Sequence, residues 1–545
     1  PSIRLPKGLT PMSLFFDAYT CFGPRPRTHG KHPWSFQHLL DELDHCSISG
    51  ALVASTSQTL YDAQFENRRL SERLAEYEHL FPIWNVLPHW TDEFPEPSEM
   101  IRQLEEYDVR AVQIHPKTNG YPAASDYTAP LLAELQKHQV LTVVDYSQIG
   151  SSDLESVLKR FPQLPILLRG QTWSQQRTVL PLVLNHKNLH VCFTHMQANL
   201  TLEWLAQKGC IDQLIFASNT PEMAAGAHRA YIDWAELDEG DKEKVAAGNL
   251  IRLLKGQKPP RERINSSEDE IMTAAREGRP LPCLTIDMHA HMLDEGLNGP
   301  GSSHTMLDGG PSGVRRLADR MGVDRIGIMS WNGVVGVHAE QGNQCVKDAI
   351  DAFPDFYWGL GTFDVMHETP ETMRRQMEEI YSDRRFLGLK PYPQYGIPYS
   401  DPRYDCWWEF GEERGLYAVF HPLNWYKPDD FASVCERFPG LTVVAYHSGA
   451  SYEVADVVIS LAQQFNNFMF EPTLTPVCGG IIDYLVEGAG DDRGMYGSDL
   501  PMRDPRQQLG WVVFSRLPLE TKKKMLGGNA LQLMQRVSGD EGFVR

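Results

Sequence analysis

The sequence predicts an α/β protein made of two tandem (β/α)8 TIM-like barrels. Three observations carry this: the chain repeats itself, each repeat alternates short apolar runs with helical stretches, and each half has the length of one barrel. At 545 residues the chain exceeds one ordinary domain, and two barrels of about 250 residues account for it. An open doubly wound sheet would instead want a Gly-rich phosphate turn after its first strand. Neither DAYTCFG nor DMHAHML supplies GxGxxG.

The repeat runs in order along both halves. SLFFDAYTCFG (13–23) aligns with LTIDMHAHMLD (284–294), placing Asp17 on Asp287. RAVQIHP (110–116) then aligns with LGLKPYP (387–393), and QVLTVVDY (139–146) with GLYAVFHP (415–422). RFPQLPILL (160–168) follows with RFPGLTVVA (437–445), IFASNTP (215–221) with MYGSDLP (495–501), and KEKVAAGNLIRLL (242–254) with KKKMLGGNALQLM (522–534). Apolar runs such as Ile326–Met329, Leu416–Phe420 and Leu441–Ala445 read as buried parallel strands. Stretches such as Glu368–Ile380 and Asp429–Phe438 read as the helices between them. The resulting division is a first barrel over 12–256, a polar, Pro-rich linker over 257–282 with a short helix at Glu268–Arg276, and a second barrel over 283–545.

Composition narrows the function. The formal charge is −20, from 51 Lys and Arg against 71 Asp and Glu, with no basic block, which argues against nucleic acid as a partner. No apolar run reaches about 18 residues, and PSIRLPKGLTPM lacks an apolar core, so neither a membrane span nor a signal peptide is expected. The nine cysteines are scattered without CxxC spacing, so reduced thiols and a cytoplasmic location are expected.

The chemistry gathers at strand ends of the second half. In IDMHAH, His289 and His291 stand two apart, so a strand projects both the same way, into the mouth of a barrel. His421 ends AVFHP, His447 ends VVAYHSG, and Asp499 sits in YGSDLP. Singly, each reads equally as a satisfied buried histidine or a helix N-cap. Jointly, they occupy the carboxyl ends of strands 1, 5, 6 and 8, where a barrel builds its site.

IDMHAH, AVFHP, YHSGA, YGSDLP and the terminal GGNA together resemble the amidohydrolase superfamily, in its amidohydrolase-related branch that includes aminocarboxymuconate-semialdehyde decarboxylase. The resemblance covers about 283–537 and implies one divalent ion, zinc with manganese or iron as alternatives, held by His289, His291, His421 and Asp499. It implies that His447 lies beside the metal-bound water or substrate and that Asp499 also moves a proton. Lys390, in GLKPYP, would either be carboxylated and bridge a second metal, bind a substrate carboxylate, or stay solvated; the substrate role is favoured. Trp331, Asn332, Tyr392, Glu471 and Arg503 are candidate pocket lining.

The first half has lost these residues. Tyr19 and Cys21 replace the histidine pair, Gln113 replaces Lys390, Asp145 replaces His421, Gly170 or Arg169 replaces His447, and Asn219 replaces Asp499. The first barrel is therefore expected to hold no catalytic metal and to act as a covalent partner subunit of the second, with a homodimer as a further possibility. Hydrolysis of a C–N or C–O bond in a small molecule is the favoured reaction, because metal, water and Asp499 suffice for it. Non-oxidative decarboxylation is the alternative and requires a cationic clamp that the sequence does not assign. A non-catalytic binding protein is the third reading and the least favoured.

Overall fold

A computed structural model describes residues 14–26, 28–299, 305–391, 395–422, 428–474 and 477–543. The first half carries seven parallel strands: β1 (Phe16–Phe22), β2 (Gly50–Ser55), β3 (Leu80–Asn85), β4 (Ala111–Ile114), β5 (Leu141–Asp145), β6 (Ile166–Arg169) and β7 (Leu189–Val191). The second repeats them as β8 (Ile286–Met292), β9 (Arg325–Ser330), β10 (Tyr357–Gly361), β11 (Phe386–Leu389), β12 (Tyr417–Phe420), β13 (Thr442–Ala445) and β14 (Phe468–Phe470). Each sheet keeps its strands in sequence order, as successive right-handed βα units require.

The eighth staves are irregular. In the first half Ile215 N–H donates to Val191 O at 3.0 Å, and Ala18 N–H donates to Phe216 O at 3.0 Å, so this segment bridges β7 and β1. In the second half Met495 N–H donates to Phe470 O and Met288 N–H to Tyr496 O, both at 3.0 Å, and this bridges β14 and β8 in the same way. Each junction is pinned by a buried carboxylate. Asp287 accepts the Ser498 N–H (3.0 Å) and hydroxyl (2.5 Å), and Asp17 accepts the same pair from Ser218. Burial pushes both carboxyls up to about 7. The two halves thus kept their closure while their strand-end residues diverged.

The two barrels are filled by side chains of different size. Ala18, Ala54, Ala111, Val143 and Leu167 lie inside the first, with larger Met288, Trp358, Tyr417 and Tyr446 inside the second. A second apolar layer, between sheets and helices, runs without a break through both halves. It crosses where the helix Ala225–Asp233 meets the helix Pro505–Val513, and every residue of both is buried. These are the same element of the repeat. Gly226 and Gly510 allow the approach: a Cβ on Gly510 would lie 2.5 Å from Ala230 Cβ, and one on Gly226 would run into Phe514. Arg506, fully buried, pairs across this contact with Glu203 and within its own half with Asp504.

The connecting segment is packed rather than loose. Its helix, Glu270–Arg276, buries Ile271, Met272, Ala274 and Ala275, and its N-cap Asp269 takes Lys522 Nζ at 2.8 Å. No helix among the described residues is long and apolar enough to cross a membrane.

Candidate metal centre and its cavity

β8 carries the first two site residues. Its pairing with β9 slips between Asp287 and Ala290, and Asp287 Oδ1 accepts the His289 N–H at 2.9 Å inside that bulge. His289 and His291 then point together toward Asp499, whose backbone has φ +56°. The Nε2 atoms of both imidazoles lie 3.3 Å from Asp499 Oδ1. Candidate ligand atoms of the three residues all fall within 4.8 Å of one another, and all three residues are buried.

These residues fit a divalent ion. Two imidazoles and a carboxylate suit zinc and its neighbours, and donors about 2.0–2.1 Å from one tetrahedral ion would lie about 3.3 Å apart, as the two Nε2–Oδ1 separations do. His289 Nε2 is buried without a hydrogen bond. Its Nδ1 faces Glu471 Oε2 at 2.9 Å, so a proton held on Nδ1 leaves the Nε2 lone pair for the ion. Glu471 is itself fixed by the Thr473 N–H at 2.5 Å and the Thr473 hydroxyl. Burial pushes Asp499 up, but His289, His291 and Arg503 outweigh it and hold the carboxyl well below its ordinary range. Burial also keeps His289 neutral, as a ligand must be.

Above the trio lies a cavity of about 640 Å³ whose lining includes His291, Trp331, Lys390, His421, His447 and Arg503. His447 donates Nδ1–H to Thr473 O at 2.6 Å, which leaves Nε2 as the ring's proton-exchanging atom, and burial lowers its pKa to about 4. Lys390 is buried with Nζ 4.6 Å from the Tyr446 ring centre, and burial brings it down to about 7. The Arg503 Nε donates to Asp499 Oδ2 at 2.9 Å. Tyr446 stacks under His289 with ring centres 3.7 Å apart.

The sequence-derived residues separate into groups. His289, His291 and Asp499 converge. His421 lines the cavity with its ring centre 4.7 Å from His447 and stands outside the three-residue group. Lys390, His447, Trp331 and Arg503 line the cavity. Asn332 does not: it follows Trp331 in the short helix Trp331–Val334, where one residue's step of about 100° turns it away, and its amide donates to Gln341 Oε1 at 3.2 Å. Glu471 sits behind His289 rather than on the cavity wall. Tyr392 lies outside the described residues. Sequence reasoning missed Tyr446, whose place before His447 was its only signal, and Trp173, which reaches the cavity from the first barrel.

In the first barrel the register settles which residue stands for His447. Asp145 pairs with Arg169, so Arg169 matches Tyr446 and Gly170 matches His447; Gly170 and His447 share a left-handed backbone, at φ +73° and +60°. The Arg169 guanidinium lies 3.8 Å over the Tyr19 ring and 3.5 Å from Asp145, and the Tyr19 hydroxyl donates to Gln113 at 3.2 Å. Where the second barrel converges ligands on an open donor set, the first places a cation and an aromatic ring against each other.

Glu471→Gln keeps the side chain's shape and replaces the carboxyl group that meets His289 Nδ1. It is expected to weaken ion binding about 10–100-fold with the fold intact, measured by competition with a chelator.

The chain belongs to the amidohydrolase family: the family model described as "Amidohydrolase" matches residues 42–256 and again 286–535. Solved structures similar to it each cover about one barrel. An uncharacterised TIM-barrel protein of Bordetella bronchiseptica is 18% identical (TM-score 0.39) over 47% of this chain and 99% of its own. 5-Carboxyvanillate decarboxylase of Sphingomonas paucimobilis is 18% identical (TM-score 0.35) over 46% and 99%. 2,6-Dihydroxybenzoate decarboxylase from Rhizobium is 15% identical (TM-score 0.40) over 46% and 99%. No curated protein matches the chain.

Proposed function

We propose that the second barrel is a divalent-metal-dependent enzyme that removes CO₂ from a small carboxylic acid without oxidation. The observation that supports this is the placing of two buried cationic side chains, Lys390 and Arg503, in the wall of the cavity above the His289, His291 and Asp499 trio. Arg503 is already paired with Asp499, so Lys390 is the group an anionic ligand would serve: burial brings its ammonium down to about 7, and a carboxylate beside it restores the charged form. The two side chains form the clamp that the sequence alone left unassigned.

His289, His291 and Asp499 would hold the ion, with His421 as a fourth donor; zinc suits the set, with manganese or iron as alternatives. When bound, that ion supplies Lewis-acid polarisation of substrate oxygens. Lys390 orients the carboxylate, and Arg503 adds positive charge while keeping Asp499 ionised. His447, anchored through Nδ1 to Thr473 O, has an Nε2 lone pair that would take a proton from solvent water and pass it to the carbon that loses CO₂, so that R–COO⁻ and H⁺ become R–H and CO₂.

Hydrolysis of an amide or lactone is the second reading, and the trio alone would serve it. Asp499 is then the proton acceptor, yet both its oxygens are engaged, Oδ1 by the imidazoles and Oδ2 by Arg503, which makes it a weak base. The experiment is a panel of hydroxybenzoates, lactones and amides against the zinc- or manganese-loaded protein, scoring CO₂ against hydrolysis product. CO₂ release is expected, with Lys390→Met raising KM for the acid about 10–100-fold. Hydrolysis product without CO₂ overturns the proposal.

A further inference from the structure

The cavity over the metal centre is not walled by the second barrel alone. Trp173, from the loop after β6 of the first barrel, lines it together with Trp331, Leu474 and Met502. That loop is built to stay in place. Gly170 opens it in a left-handed turn where a Cβ would lie 2.3 Å from Asp145 Oδ2. Gln171 is buried and donates its amide to Cys192 O at 2.6 Å, and Thr172 N–H bonds the Gln175 side chain at 2.7 Å. Gln176, also buried, holds Thr201 Oγ1 at 3.0 Å with its amide nitrogen.

The carbonyl of Gln176 crosses to the second barrel, accepting the Thr305 N–H at 2.9 Å and the Thr305 hydroxyl at 3.2 Å. Asn199 of the first barrel grips the same stretch, donating to Leu307 O at 2.7 Å. Between these two anchors Met306 is fully buried and packs with Leu293 and Trp331. The first barrel therefore carries one indole of the cavity and braces the support of the other. Gly170 matches His447, so the residue matching Trp173 in the second barrel is Ala450, which lines this same cavity. The large aromatic side chain stands in the copy without the ligand set and serves the copy that has it.

We propose that Trp173 is a substrate-contacting residue, so that the first barrel supplies one face of the specificity pocket, selecting a planar aromatic body whose acidic group meets Lys390 and Arg503. The acidic group rests on the function proposed above; the contact of Trp173 with an aromatic ring does not. Trp173 is half-buried, so its replacement leaves the barrel core untouched.

The test is calorimetric titration of the full-length, zinc-loaded protein with benzoate and with its uncharged isostere benzamide, in wild type, Trp173→Ala and Trp173→Phe. Trp173→Ala is expected to weaken both probes about three- to tenfold, with Trp173→Phe retaining most of the affinity and bound zinc and thermal midpoint unchanged in both variants. Unchanged affinity for both probes in Trp173→Ala, or a wild type that takes up neither, overturns the assignment. A wild type that binds benzamide as well as benzoate, with both weakened by Trp173→Ala, upholds the Trp173 contact and removes the carboxylate reading instead.

Discussion

Asp499→Ala is expected to take the protein from about one bound ion per chain to none after dialysis, with loss of activity. Asp499 is the only anionic member of the group formed with His289 and His291, and its Oδ1 touches both Nε2 atoms. Without it only neutral imidazoles remain beside a buried Arg503 that has lost the carboxylate it donates to, so the site's net charge turns positive and repels a cation. The loss in affinity should exceed the roughly 10–100-fold expected for an orienting residue such as Glu471, because a donor itself is gone. Asp499→Asn separates charge from shape: it keeps the volume and should still fail to retain the ion. His289→Ala should match it, whereas Cys21→Ala, in the first barrel, should leave the ion count unchanged. Elemental analysis of dialysed protein reads all four variants. Two ions per wild-type chain would implicate either the first barrel or Lys390 as a further ligand.

Much of this arrangement was legible in the amino-acid order, for a physical reason. A barrel strand buried on both faces is a short apolar run, and the residue after it is forced into the mouth, so Asp287-Met-His-Ala-His, Val-Phe-His421 and Gly-Ser-Asp499 announce both strand and site. The repeat then fixed the topology, since one half's pattern had to explain the other's. What stayed hidden depends on relations between segments rather than within them. Glu471 was visible as an acid after a strand, yet only the pairing of β14 with its neighbours turns it behind His289. The choice between Arg169 and Gly170 as the match of His447 needed the register of β5 and β6. The eighth stave of each barrel makes its bonds without forming a regular strand, so its closure rests on Asp17 and Asp287 rather than on apolar alternation. Trp173 carries no motif at all, because its role arises from how one barrel docks on the other.

That docking can be broken at one place. Glu203→Ala is expected to destabilise the full chain by about 3–5 kcal/mol, read as a lowered urea midpoint, because it leaves a fully buried Arg506 with one carboxylate in place of two. The guanidinium cannot turn to water. Its Nη2 donates to Glu203 Oε2 at 3.0 Å and Asp504 Oδ2 at 2.6 Å, its Nε donates to Asp504 Oδ1 at 2.8 Å, and its flat face lies 4.6 Å over Tyr231. Asp504 is also committed, accepting the Leu200 N–H from the first barrel at 3.1 Å. Replacing the whole triad, as Glu203→Ala with Arg506→Met and Asp504→Asn, should recover part of the loss, since no charge is then left buried alone. The effect should depend on pH in a fixed direction. Burial pushes Glu203 up, but Arg506 overcomes it and holds the folded carboxyl below its ordinary value of 4.5. The pair's contribution is therefore complete above about 4.5 and declines as the pH falls below it, so the gap between wild type and Glu203→Ala narrows on acidification. The same variant should loosen the cavity. Asp504 follows Arg503 directly, and its N–H donates to Gln197 O of the first barrel at 2.6 Å, so slack at Arg506 reaches the wall of the cavity. A stable Glu203→Ala chain with unaltered turnover would mean that the Glu203–Arg506 pair is not needed to hold the two barrels together.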